Sequence, residues 1–156
     1  MFTETNVEEV QIPSTLRVLE VSTFAKCSNL KMVYFSEGLE RIEIGVFLGS
    51  GLETVRFPKS LKTLAQASFA KCEALTAVTV NEGLEVLGTD EYDTDGEMRH
   101  GVFGYSAVQD VRLPATLKRI EYSAFEGCKK LRELALPDGL EFIGKRCFYE
   151  SGIERM

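Results

Sequence analysis

The sequence lacks tryptophan, contains one histidine, His100, and has no CxxC pair among its four cysteines. Sulfur-based metal sites and histidine-based nucleophile pairs need residues in spacings that this chain does not supply. No stretch approaches the roughly 18 apolar residues of a membrane span, and the start, MFTETNVEEV, has neither a basic nor an apolar region of a signal peptide. We therefore expect no enzyme activity, no metal or other cofactor and no membrane insertion.

Positive charge is also scarce. The chain has 18 lysines and arginines against 24 acidic residues, a formal net charge of -6, and no dense Lys/Arg cluster. Because phosphate contacts need a basic face, we expect no nucleic-acid partner. Its 156 residues, 44% of them hydrophobic, are enough for one core. These values predict a single domain over residues 1–156.

What the chain has instead is a repeat, marked by a phenylalanine three residues before Cys, Ser or Thr. Successive marker phenylalanines are 22, 23, 22, 34, 22 and 23 residues apart. The step of 34 equals a unit of 23 residues with 11 inserted. The marker positions are Phe2, Phe24, Phe47, Phe69, Phe103, Phe125 and Phe148.

Six apolar positions recur in each of about six units of 22 or 23 residues, in the pattern LxxVxFPxxLxxIxxxxFxxC. In the third unit these positions are Leu52, Val55, Phe57, Leu61, Leu64 and Phe69. A unit this short cannot bury its apolar side chains alone, so the units must stack into a continuous core.

Neighbouring units differ, so the true repeat is a pair of 45 residues. Odd units turn at PST, PKS and PAT and end in cysteine, whereas even units turn at SEG, NEG and PDG and end in serine. We expect proline to set φ in the odd turns and glycine to take a positive φ in the even turns. The glycines concerned are Gly38, Gly83 and Gly139.

The cysteines are predicted to be free thiols. Cys27 and Cys72 lie two units apart, and strands stack about 4.8 Å apart, so their backbones should be roughly 10 Å from each other, too far for a disulfide. Free cysteine is commonly buried, which favours a structural ladder over a redox or metal role.

Within LxxVxF the last two apolar residues alternate with a polar one, which is the period of a strand. This pattern predicts a strand over Met32–Phe35 in the second unit and a parallel sheet across the units. The apolar spacing of the LxxIxxxxF half fits neither the period of a strand nor that of a helix. We expect a second short extended segment there and a short helical turn at FxxC.

These residues resemble the BspA-like subfamily of leucine-rich repeats, whose units read LxxLxLPxxLxxIgxxAFxxC. The segments VQDVRLPATLKRIEYSAFEGC and LRELALPDGLEFIGKRCFYES follow that motif closely. The resemblance implies a mainly β, right-handed leucine-rich-repeat solenoid with a parallel strand ladder and short helical turns. It also implies adhesion or protein binding, with a secreted or cell-surface location, and it brings no catalytic residue.

The 11-residue insertion within 89–101 departs from the family motif and is acidic. It carries Asp90, Glu91, Asp93, Asp95 and Glu97 against Arg99 alone. Three interpretations stay open: a solvent-exposed loop without a binding role, a partner-binding loop anchored by Tyr92, and a calcium site at Asp93 and Asp95. The calcium interpretation fits poorly, because the position of the bidentate glutamate of an EF-hand is occupied by Val102.

The concave face of the predicted sheet is the leading candidate for binding. Its outward residues alternate with the apolar ones, and Met32, Tyr34 and Arg56 are types enriched at interface hot spots. The candidate partner-binding residues are Met32, Tyr34, Thr54, Arg56, Thr79 and Arg112, with Tyr92, Asp93 and Asp95 in the insertion.

The sequence thus predicts a module that recognises a protein ligand, of unknown identity, in an adhesion or scaffolding role. An alternative is a structural spacer, or a segment that forms homo-oligomers through uncapped ends. No capping sequence is visible at either end of the 156 residues.

Overall fold

Two kinds of short strand alternate along the chain in the computed structural model, which describes residues 5–89 and 100–156. The VxF part of the first five units forms a strand of three or four residues, and the LxxI part of all six units forms one of two residues. The strands are β1 Glu9–Ile12, β2 Val18–Leu19, β3 Met32–Phe35, β4 Arg41–Ile42, β5 Thr54–Arg56, β6 Thr63–Leu64, β7 Ala77–Thr79, β8 Val86–Leu87, β9 Asp110–Arg112, β10 Arg119–Ile120 and β11 Phe142–Ile143.

All strand pairs are parallel, and each strand pairs with its counterpart in a neighbouring coil. The longer strands form the ladders β1-β3 and β5-β7-β9, and the two-residue strands form β2-β4-β6 and β8-β10-β11. In the sixth coil an isolated bridge between Glu133 and Arg155 takes the place of a longer strand. The predicted parallel solenoid, the strand Met32–Phe35 and the second extended segment are confirmed.

The core is a continuous column filled by the repeated apolar positions. Its most regular part is a file of marker phenylalanine rings, whose neighbouring centroids lie 5.1 to 5.9 Å apart with interplanar angles of 8° to 30°. The rings of Phe69 and Phe103 stack at 5.8 Å although the insertion separates them in sequence. The coils on either side of the insertion are therefore direct neighbours.

The FxxC segments are hydrogen-bonded turns, and the described residues contain no helix, so the expected short helical turns are corrected to turns. In the first coil the amides of Phe24 and Lys26 donate to Val46 O and Leu48 O of the next coil, at 2.8 and 2.7 Å. Lys26 also has a φ of 59°, outside the helical range. Because these donors bond between coils, they cannot form the bonds of an α-helix.

The glycine turns only partly match the prediction. Gly38 and Gly83 have φ of 116° and 100°, as expected, but Gly139 is not in the positive-φ region. The sixth turn begins at Pro137, where the second and fourth turns begin at Ser36 and Asn81, so it shares its first residue with the odd turns. Proline thus gives the sixth coil an odd-type turn, in which the position of Gly139 needs no positive φ.

Candidate functional site

The outward residues of the longer strands form a surface that we call the strand face. Pairing aligns them in two columns, since Thr54, Ala77 and Asp110 are in register and so are Arg56, Thr79 and Arg112. Glu9 pairs with Met32, and Gln11 with Tyr34, in the first ladder. All six predicted face residues, Met32, Tyr34, Thr54, Arg56, Thr79 and Arg112, lie in these columns.

Met32 and Tyr34 are exposed apolar side chains at the first end of the strand face. They are 39% and 43% exposed, whereas Val33 between them is buried in the core. The Tyr34 hydroxyl donates to Met32 Sδ at 3.6 Å. Gln11 Nε2 donates to the Tyr34 carbonyl oxygen at 3.3 Å and to Ser36 Oγ at 3.1 Å. This pair presents an ordered apolar patch to solvent.

Next to this patch, the strand face has a shallow depression of about 300 Å³. It brings together four of the predicted residues, whereas Met32 and Tyr34 lie beside it on β3. Ala77 at its centre is small, which leaves the space open. The polar side chains that line it are Thr54, Arg56, Thr79, Asp110 and Arg112.

The two arginines of the depression differ from most others in the chain. Arg41, Arg119, Arg132 and Arg146 each contact a carboxylate at 2.6 to 2.9 Å. Within residues 5–89 and 100–156, neither Arg56 nor Arg112 has an ion pair. Their guanidinium groups therefore keep their hydrogen-bond donors available to a ligand.

Tyr92, Asp93 and Asp95, with the calcium interpretation that rests on them, lie outside the described residues. The flanks of the insertion are described. The Thr89 carbonyl oxygen accepts from Gln66 Nε2 at 2.8 Å, and the His100 ring lies edge-on to Tyr105 at 5.1 Å. These flanks lie among the turns that follow the two-residue strands, away from the candidate residues of the strand face.

A cluster at the FxxC turns was missed at the sequence level. The buried Glu126 carboxylate accepts hydrogen bonds from Tyr105 Oη at 3.0 Å, from Arg146 Nη2 at 2.6 Å and from Ser123 Oγ. The Arg146 guanidinium also lies 4.1 Å from the Tyr149 ring centroid. Burial alone would raise the pKa of Glu126, but these donors outweigh it and hold the pKa below 4.5.

The signal for this cluster was present in the repeat. The residue after the marker phenylalanine is Ala25, Leu48 or Ala70 in the first three coils, where it is buried. Glu126 is the charged exception at this position. A carboxylate at a position that is buried in the first three coils requires donors from its neighbours.

The four cysteines form no disulfide and are buried, as predicted. Ser50 Oγ lies 3.4 Å from Cys72 Sγ, and the Cys72 thiol donates to the Phe47 carbonyl oxygen at 3.1 Å. Cys128 repeats both contacts with Ser106 and Phe103, at 3.7 and 3.1 Å. Burial raises the pKa of Cys72 and of Cys128 to about 11 and that of Cys147 to about 12. These three thiols are therefore protonated at neutral pH.

Metal-binding side chains do not gather elsewhere on the described surface. Among residues 5–89 and 100–156, no group of three or more His, Cys, Asp or Glu is placed to hold an ion. In the same part of the chain, no helix is long and apolar enough to cross a membrane.

Two solved structures share this architecture. A leucine-rich repeat protein from Bacteroides ovatus superposes with a TM-score of 0.69 at 22% identity, over 96% of this chain and 43% of that one. A leucine-rich repeat protein from Eubacterium ventriosum gives 0.66 at 24% identity, over 97% and 45%. The chain therefore spans under half the length of each. At these identities the likeness shows the fold.

The repeat itself is recognised over nearly the whole length. No curated protein is significantly similar to the chain. The family described as BspA type leucine rich repeat region, however, matches it in six copies over residues 1–94 and 96–156. The chain thus belongs to the BspA-type leucine-rich repeat family.

Proposed function

We propose that this protein is an interaction module that binds a protein partner through the strand face, and that it has no catalytic activity. The observation that carries the proposal is the exposed Met32 and Tyr34 pair beside Arg56, which has no ion pair within the described residues. Methionine, tyrosine and arginine are enriched at interface cores. Membership of a repeat family whose extended faces commonly bind proteins supports the proposal.

The chemistry of the face favours binding over catalysis. Its polar groups are threonine hydroxyls, guanidinium groups and carboxylates. The single histidine of the sequence contacts Tyr105 at the turns and is not among the residues that line the depression. Histidine, the side chain that most often serves as a general base, is therefore not among the residues that line the depression.

The test selects peptides and then removes one aromatic side chain. A displayed library of random 12-residue peptides is selected on the protein, and the affinities of the enriched peptides are measured for Tyr34→Ala. We expect losses of about tenfold or more, as for a hot-spot residue. Tyr149→Ala is the matched control, because Tyr149 is 48% exposed and lies at a turn.

Peptides that bind Tyr34→Ala as well as the original protein, yet lose affinity for the Tyr149→Ala variant, would contradict this site. Both variants should first give the original circular dichroism spectrum. Truncation of these exposed side chains removes few core contacts, so we expect both proteins to fold.

The family also supports a location at the surface of a bacterial or protozoan cell, in an adhesion role. We propose this location for the present protein. Protease added to intact cells should remove the protein if it is displayed outside. Protection of the protein until the cells are lysed would contradict surface display.

An alternative function, a spacer or end-to-end oligomer, is favoured by the exposed apolar groups of the outer coils. Ile143 is 42% exposed, whereas its counterpart Ile120 is fully buried. At the other end, an apolar cavity of about 440 Å³ is lined by Val7, Val10, Leu16 and Phe24.

Light scattering over a hundredfold concentration range tests whether the protein associates through these ends. We expect Ile143→Lys to abolish any oligomer formed through these ends, and a constant monomer mass would rule the oligomer out.

A further inference from the structure

The two columns of the strand face have opposite charge. The column of Gln11, Tyr34, Arg56, Thr79 and Arg112 carries two cations and no carboxylate, and we call it the arginine column. Along β1 to β9 the other column carries Glu9 and Asp110 and no cation, and we call it the acidic column. Since the formal net charge of the chain is -6, the arginine column is a local exception.

The two arginines are spaced by the fold itself. Arg56 on β5 and Arg112 on β9 both pair with Thr79 on β7, so they are two coils apart. Strands stack about 4.8 Å apart, which places these two backbone positions roughly 10 Å from each other. The half-buried Thr79 lies between them. A ligand along the column therefore meets guanidinium, hydroxyl and guanidinium groups in turn.

A peptide in the extended polyproline II conformation has a matching period. It advances about 3.1 Å per residue with three residues per turn, so side chains three residues apart lie on the same face, roughly 9 Å from each other. Carboxylates at positions i and i+3 of such a segment would reach Arg56 and Arg112 together. The geometry of a carboxylate also matches the planar arginine fork, often through two hydrogen bonds.

The rest of the face restricts where the segment can lie. Repulsion by Asp110 and Glu9 disfavours acidic side chains over the acidic column, which leaves the arginine column for them. Tyr34 continues the arginine column on the neighbouring coil and is 43% exposed, so it offers an apolar contact beyond the acidic pair.

We propose that the arginine column recognises an acidic, extended segment of a protein partner, with carboxylates at i and i+3 bound by Arg56 and Arg112. The proposal rests on the strand face being the binding site and names the chemistry of its ligand. The segment lies along the stacking direction of the coils, with its acidic side chains on the arginine column.

The probes are eight-residue glycine-serine peptides with blocked ends. Their binding is measured by NMR titration of the protein. One peptide carries two glutamates three residues apart, a second carries them adjacent, a third has glutamine in place of both, and a fourth has lysine. We expect the first to move the amide resonances of β5, β7 and β9 and to bind more tightly than the other three. Added salt should weaken this binding, because the contacts are exposed ion pairs.

Charge-neutralising variants locate the contacts. Arg56→Gln and Arg112→Gln should each lower the affinity for the first peptide by about two- to fivefold, the range of exposed ion pairs. Arg132→Gln is the matched control, since Arg132 is exposed and pairs with Glu154 at 2.9 Å. Its affinity for the first peptide should equal that of the original protein.

The outcomes separate this inference from the proposed function. If the glutamate and glutamine peptides bind the face equally and Arg56→Gln changes neither, acidic recognition is overturned while binding at the face stands. If selected library peptides bind yet move no strand-face resonance, both proposals fail. A dimer that Arg56→Gln dissociates would identify the occupant as a second copy and overturn the assignment to another protein.

Discussion

At the scale of single residues, burial and hydrogen bonding determine what the cysteines can do. Cys72, Cys128 and Cys147 have pKa values raised to about 11, 11 and 12, and they are buried in the core. At pH 8 about one thiol in a thousand or fewer would be ionised, and the thiolate is the reactive form. Alkylation is therefore expected only after unfolding.

This prediction is checked by incubating the protein with iodoacetamide at pH 8, with and without guanidinium chloride, and measuring its mass. The native protein should gain no label, and the unfolded protein should gain four. Lys130→Cys provides an exposed reference thiol, because Lys130 is exposed. Labelling of Cys72 at the rate of that reference would contradict a structural role.

Glu126 predicts how the stability of the fold depends on pH. Burial raises its pKa, but hydrogen bonds from Arg146, Ser123 and Tyr105 outweigh burial, so the folded pKa lies below the ordinary 4.5. A lowered carboxyl pKa stabilises the fold above pH 4.5, and this contribution is lost as the pH falls through the folded value. Glu126→Gln should therefore cost about 1–2 kcal/mol at pH 7.

The measurement is urea unfolding of the original protein and of Glu126→Gln at pH 7 and at pH 3. The difference between them should shrink at pH 3, because the glutamate of the unfolded chain is protonated there and the contribution of the lowered pKa is being lost. Glu85→Gln is the control, since the Glu85 side chain is exposed and forms no hydrogen bond or ion pair within residues 5–89 and 100–156. A difference that stays the same at both pH values would refute the carboxylate mechanism.

At the scale of elements, the two glycine turns offer a direct comparison. A Cβ on Gly38 would lie 2.4 Å from Ser14 O and 2.4 Å from Arg17 Nη1, at a φ of 116°. A Cβ on Gly139 would meet Lys118 Nζ at 3.3 Å and Ala115 O at 3.7 Å, without a positive φ. Gly38→Ala should cost about 1–3 kcal/mol, and Gly139→Ala should change stability by less than about 1 kcal/mol.

Urea midpoints of the two variants test this turn chemistry. Both replace a glycine that is followed by a core leucine, so they differ mainly in φ and in the space around the new methyl group. Equal losses in the two variants would show that neither φ nor the contact with Ser14 limits the turn.

The elements also show how far a repeat pattern can predict structure. The strand Met32–Phe35 was predicted correctly because side-chain alternation has a period of two, which the sequence displays directly. The FxxC segment was not, because its amides bond to the next coil and a local pattern does not reveal such donors. Gly139 was assigned by analogy with Gly38, although Pro137 supplies a different turn.

The sequence likewise predicted only part of the candidate site. Period-two alternation placed Tyr34 and Arg56 on the exposed face, as the strand registers show. That Arg56 lacks an ion pair within residues 5–89 and 100–156 depends on distances between coils, which composition does not give. Glu126 was overlooked because its donors come from two other coils, at Tyr105 and Arg146.

At the scale of the whole molecule, the coils on either side of the insertion stack directly on each other. Phe69 N donates to Val102 O at 2.9 Å, and β7 pairs with β9, so the two flanking coils bond directly. Deleting the eleven residues from Asp90 to His100 restores a step of 23 between Phe69 and Phe103. We expect the shortened protein to fold with a melting temperature within a few degrees of the original.

Differential scanning calorimetry measures this change, and NMR titration with the selected peptides shows whether the strand face still binds. If the shortened protein binds peptides as before, the insertion has no part in that contact. Failure of the shortened protein to fold would show that the insertion contributes to the stack.

The direction of the ladder bonds also determines the mechanical behaviour of the molecule. Each coil bonds to its neighbours through parallel pairs, so these hydrogen bonds point along the stacking axis. A force that pulls the two ends of the stack apart acts along these hydrogen bonds. The bonds between two coils are therefore under tension, and the strands of a sheet do not slide past one another. Coils should therefore separate one boundary at a time, and the protein should extend under modest force as a series of short, compliant steps.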